Sequence, residues 1–100
     1  MDKSSERFGN GLQRARRKRG LTQEDFSDVS SRTYLSSLER GLKAPTIVKI
    51  EQLASVIGIH LVALVALAYL PSTPEEQEQL CVQIRADIKS IGSVDDNNLP

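Results

Sequence analysis

Between Leu53 and Leu70 the chain runs for 18 residues without an Asp, Glu, Lys or Arg. Such a stretch must cross a membrane or be buried in protein, because about 18 apolar residues is the lower limit for a spanning helix. Gly58 and His60 break it near its first third. The residues leading into it, Ile47, Ile50, Leu53, Ala54 and Ile57, keep the one-faced spacing of a helix in a soluble domain. The expectation is two helices meeting at a Gly58 joint, the second very apolar, and no membrane span.

Similar punctuation divides the rest of the chain. Phe8, Leu12 and Ala15 form an i, i+4, i+7 stripe, so a first helix is expected from about Ser5 to Lys18, stopped by Gly20. Arg14, Arg16, Arg17, Lys18 and Arg19 crowd its last turns, where cations favour the helix dipole. Thr22 opens a short second helix, with Glu24 and Asp25 in its first turn and Phe26 and Val29 inside. A third helix runs from about Ser31 to Arg40 and is closed by Gly41. Pro45-Thr46 starts a fourth, which Gly58 ends, and a fifth spans about Ile59 to Leu70, where Pro71 forbids simple continuation. Thr73-Pro74-Glu75-Glu76 is a strong start for a sixth helix, which carries Leu80, Ile84, Ile88 and Ile91 on one side. Gly92 to Pro100 has no apolar period and reads as a disordered tail. No stretch reads as a strand, so the expected fold is all-α.

One hundred residues make one small domain with no room for a second core. With 39% hydrophobic residues and 26% charged, the chain is neither a multidomain enzyme nor a charged disordered tail. The zero net charge hides a split. Residues 1–50 carry 11 Lys and Arg against 6 Asp and Glu, while residues 51–100 carry 2 against 7. A basic half and an acidic half imply two faces with different partners. Cys81 has no internal disulfide partner, which fits a reducing, cytoplasmic setting, and its place beside Leu80 predicts packing rather than redox chemistry. The polar N-terminus lacks the apolar core of a signal peptide.

No catalytic constellation is present. The one His and the one Cys lie 21 residues apart, and there is no glycine-rich phosphate loop. His60 reads as a helix cap or a surface residue. Glu75, Glu76 and Glu78 lack His or Cys partners and read as helix-start charge, so neither a metal nor a cofactor is expected.

On a helical wheel the third helix separates cleanly. Ser31, Leu35 and Leu38 fall on one side, and Arg32, Thr33, Ser36, Ser37 and Arg40 on the other, with Tyr34 on the flank. Short hydroxyls bracketed by arginines suit a major groove. They let the helix approach, while Arg pairs with guanine or phosphate and Thr touches a thymine methyl. An ordinary solvated face would have the same composition.

The order of elements discriminates between these readings. Arg16, Gly20-Leu21-Thr22-Gln23-Glu24, Arg32-Thr33-Tyr34-Leu35-Ser36, Leu38-Glu39-Arg40-Gly41 and Pro45-Thr46 stand in sequence. With Leu53-Ala54 and Ile57-Gly58-Ile59 they resemble the helix-turn-helix of the lambda-repressor-like (Xre/Cro) family over about Phe8 to Leu64. The resemblance implies a five-helix DNA-binding domain, here residues 5–70; the amphipathic helix expected over 73–91 lies beyond it. It implies base contacts from Ser31, Arg32, Thr33, Ser36 and Ser37. Gln23, Arg40 and Lys43 fall on backbone-contacting positions, and Arg17 and Arg19 are the best phosphate contacts in the basic run. It also implies a structural ion pair between Arg16 and Glu39. The segment from Gln23 to Leu38 is two residues shorter than the family pattern and lacks the usual turn glycine, so Ser30-Ser31 must turn the corner.

A helix as apolar as the fifth must be covered on both faces. The sixth can fold over it, or both can meet their copies in a second subunit, the usual way such a motif reads two half-sites. The expected homodimer interface comprises Leu64, Leu67, Leu70, Leu80, Ile84 and Ile88. The expected function is a dimeric, sequence-specific transcriptional repressor of double-stranded DNA. The rival is an antitoxin-like module that binds a protein partner through the last two helices.

Overall fold

A computed structural model describes residues 3–92. Those residues form five α-helices and one turn of 3-10 helix, with no strand among them. The helices are α1 (Lys3–Lys18), α2 (Arg32–Glu39), α3 (Ile47–Ile57), α4 (Leu61–Ala68) and α5 (Pro74–Ile91), and the 3-10 turn is Gln23–Phe26. The all-α architecture expected from the sequence is the one observed. The tail expected over 92–100 lies, from residue 93 onward, outside the described residues.

The first helix of the motif is reduced to that 3-10 turn, which explains why the segment is short. Asp25 closes its start, accepting from the Thr22 backbone N–H at 2.7 Å and from the Thr22 hydroxyl at 3.1 Å. After Phe26 the chain turns on backbone bonds from Val29 and Ser30 to the Phe26 carbonyl. Among the described residues only glycines have positive φ. Ser30-Ser31 therefore turns the corner without left-handed backbone, Ser31 being extended at φ −68° and ψ 155°.

The chain divides into two compact units, with the boundary between Tyr69 and Leu70. In the first, α1 packs most extensively on α4 and then on α2, and α3 packs on α4. The core comprises Phe8, Leu12 and Ala15 from α1, Phe26 from the 3-10 turn, Leu35 and Leu38 from α2, Leu53, Ala54 and Ile57 from α3, and Leu64 from α4. Burying each large side chain contributes about 1.5–3 kcal/mol. Gly9 lets the helices approach closely. A Cβ there would stand 2.4 Å from the Leu38 carbonyl oxygen and 2.7 Å from that of Glu39. α3 ends at Gly58, whose φ of 85° is the left-handed cap that releases the chain into α4. His60 caps α4, its Nδ1 accepting from the Val62 N–H at 3.0 Å. α3 and α4 meet at 102°, and no described helix is long and apolar enough to cross a membrane.

Two expectations are corrected. Leu64 does not belong to an interface, because it is fully buried in the core. α4 is apolar all round, so the pattern could not show which side turns inward. Cys81 is exposed rather than packed.

In the second unit Thr73 opens α5. Its hydroxyl accepts from the Glu76 N–H at 3.2 Å and donates to the Glu76 carboxylate at 2.9 Å. Leu80 and Ile84 are half-buried, and Val82, Ile88 and Ile91 are exposed.

Candidate nucleic-acid interface

The site is built around Glu39, the last residue of α2. Arg16 reaches it from α1, its Nε donating to Oε2 at 2.6 Å and its Nη2 to Oε1 at 3.0 Å. Gln13, one turn earlier on α1, donates to Oε1 at 3.4 Å, and Gln23 of the 3-10 turn does so at 3.3 Å. Arg16 Nη1 also donates to the Leu21 carbonyl at 3.0 Å. One carboxylate thus ties α1, the 3-10 turn and α2 together. The Glu39 hydrogen bond holds the Arg16 guanidinium above its ordinary pKa, against the opposing pull of desolvation.

With its inner edge held this way, α2 presents its other face. Ser31 caps the helix, accepting from the Tyr34 N–H at 3.1 Å, which uses one lone pair of its hydroxyl and leaves the O–H as a donor. Arg32, Thr33, Ser36, Ser37 and Arg40 line one shallow surface depression together with Gln23. Six of the residues singled out from the sequence thus come together in one place. Arg32, Thr33 and Arg40 are exposed, and Ser36, Ser37 and Gln23 are half-buried. Such a surface of donors and small hydroxyls, with guanidinium groups at its first and last positions, can read base edges and hold phosphates.

The other expected cations are more scattered. Arg17 is exposed at the end of α1, outside this depression. Arg19 joins Arg14 and Lys18 around a separate apolar depression lined by Ala15, Ile57, Ile59, Ala63 and Leu67. Lys43 is exposed, with its ammonium 5.8 Å from the centre of the Tyr34 ring.

Three residues contribute to this site in ways that the sequence did not assign to them. Lys49 likewise sits 5.8 Å from the centre of the Tyr34 ring and donates to the Val29 carbonyl, tying α3 to the turn before α2. Gln13 lies one turn from Arg16, and its i, i+3 spacing could have flagged it. Glu24 forms a surface ion pair with Arg32, from Nη2 to Oε2 at 2.8 Å. The two sit on different elements, so no spacing rule could have found the pair.

Comparison with known proteins places the same segment in context. The model of the helix-turn-helix family matches residues 12–64. An uncharacterized HTH-type transcriptional regulator of Sinorhizobium fredii, y4dJ, is 46% identical over 59 residues, covering 57% of this chain and 77% of that protein.

Proposed function

The chain belongs to the helix-turn-helix family, and from that premise we propose that it is a sequence-specific DNA-binding transcriptional regulator. In this reading α2 enters a major groove, with Arg32, Thr33, Ser36, Ser37 and the Ser31 hydroxyl at base edges. Gln23, Arg40, Lys43, Arg17 and Arg19 take phosphates. The observation that carries it is the depression that Gln23 and Arg40 share with four residues of α2, the helix whose Glu39 is held by Arg16.

The finer reading is a cytoplasmic homodimer that represses from an inverted repeat. Leu70, Leu80, Ile84 and Ile88 of the second unit form its interface, and Ile88 is 62% exposed. The acidic half of the chain repels phosphate and stays off the duplex. The exposed Val82, Ile88 and Ile91 on α5 also favour a second reading, in which this helix engages a different protein and DNA binding is secondary.

Selection from a random duplex pool at physiological salt tests the proposal. Enrichment of an inverted repeat with half-sites about one helical turn apart is the expected result. Salt-sensitive binding with no enriched sequence would overturn it, and would turn attention to α5 as a protein-binding surface.

A further inference from the structure

The Glu24–Arg32 pair is too exposed to matter for stability. Its two side chains are 66% and 68% accessible, and surface pairs of this kind are mostly close to neutral. It nonetheless fixes the direction of the first guanidinium on α2. Arg32 lines both the α2 depression and a neighbouring one formed by Arg16, Leu21, Thr22, Gln23 and Glu24, so the carboxylate holds it at the junction of the two.

That placement bears on how the guanidinium meets DNA. A duplex offers a phosphate charge about every 1.7 Å along its axis, so an unpaired arginine at the groove edge finds a phosphate on any sequence. Arg32 bound to Glu24 behaves differently. Drawing it onto a phosphate brings the Glu24 carboxylate towards a like charge, which is unfavourable. A guanine edge carries no such charge and asks for two N–H donors, for O6 and N7. The guanidinium has five, and Glu24 uses one. Arg32 can therefore keep Glu24 and still read guanine.

Resting on the DNA-binding reading above, we propose that Glu24 is a specificity-determining positioning residue. It holds Arg32 on a guanine edge and keeps that guanidinium off phosphates.

The test compares the full-length wild-type chain with Glu24→Gln, Arg32→Ala and the double variant. Each is titrated by fluorescence anisotropy against the selected site and a scrambled duplex over a range of salt. Glu24→Gln is expected to bind the scrambled duplex more tightly, with a salt slope steeper by about 0.9 for the added phosphate contact. Its ratio of selected to scrambled affinity is expected to fall about tenfold. In the Arg32→Ala background the same substitution should leave that ratio unchanged. Melting temperatures of Glu24→Gln and wild type should agree within about 5 °C, as for an exposed pair. Two results would overturn the inference alone. One is an unchanged ratio and slope in Glu24→Gln with Arg32 intact. The other is an equal fall of the ratio without Arg32. A wild-type chain that selects no sequence would overturn the DNA-binding reading, and this inference with it.

Discussion

Arg16 and Glu39 stand 23 residues apart and make two hydrogen bonds, at 2.6 and 3.0 Å, with side chains 11% and 2% exposed. This pair joins the end of α1 to the end of α2. Glu39 also accepts from Gln13 and Gln23, so the carboxylate orients the 3-10 turn as well. The same contact therefore sets both the docking of α2 on the core and the aim of Gln23.

Glu39→Ala should destabilise the fold by about 3–5 kcal/mol, because it strands a buried guanidinium. Replacing both partners with apolar residues, as in Arg16→Met with Glu39→Leu, should recover most of that loss. Urea unfolding of the two variants beside wild type checks both statements. The raised pKa of Arg16 contributes stability that is complete below its unfolded value and lost only as pH climbs through the folded one. Arg16 should therefore leave the wild-type urea midpoint unmoved across the neutral range.

Gly9→Ala should cost about 1–3 kcal/mol through overpacking, even though Ala is the better helix former. The added Cβ would meet the carbonyl oxygens of Leu38 and Glu39, which are backbone and cannot swing away. Gly58→Ala meets nothing within 4 Å and should cost only the left-handed backbone, about 1–2 kcal/mol. The distinguishing readout is DNA binding measured where each variant is fully folded. Gly9→Ala should weaken it by displacing α2, and Gly58→Ala should leave it intact.

Arg17→Ala should weaken binding to selected and scrambled duplexes alike and lower the salt slope by about 0.9. Arg32→Ala should weaken the selected site by about 1–3 kcal/mol more than the scrambled one. Anisotropy titrations at several salt concentrations separate the two. Equal loss of selectivity in both variants would remove the division into phosphate-holding and base-reading arginines.

Ile84→Asp and Ile88→Asp together should convert a dimer to a monomer in sedimentation, with the melting of the first compact unit unchanged. Affinity for an inverted repeat should then fall towards that for one half-site. A wild-type chain that sediments as a monomer would exclude the dimer reading.

Much of this architecture was legible in the residues. The Phe8, Leu12, Ala15 stripe, the Thr46 and Thr73 caps and the Gly58 stop act through neighbours three or four positions away, so spacing reveals them. The α2 face was readable for the same reason. The 3-10 turn was not, because a four-residue element has too few positions to distinguish its period from that of an α-helix. Leu64 was misplaced because α4 has no polar side to mark its outside. Gly9 and the Glu24–Arg32 pair were invisible because each depends on where a second element lies.

The central claim is that the outer face of α2 reads base sequence. Random-duplex selection run in parallel on the wild-type chain and on Arg32→Ala/Thr33→Ala/Ser37→Ala tests it most directly. The account predicts that wild type enriches an inverted repeat. It also predicts that the triple variant, folded and still binding DNA in a salt-dependent way, enriches none. Recovery of the same repeat by the triple variant would contradict it, and would place sequence recognition elsewhere on the molecule.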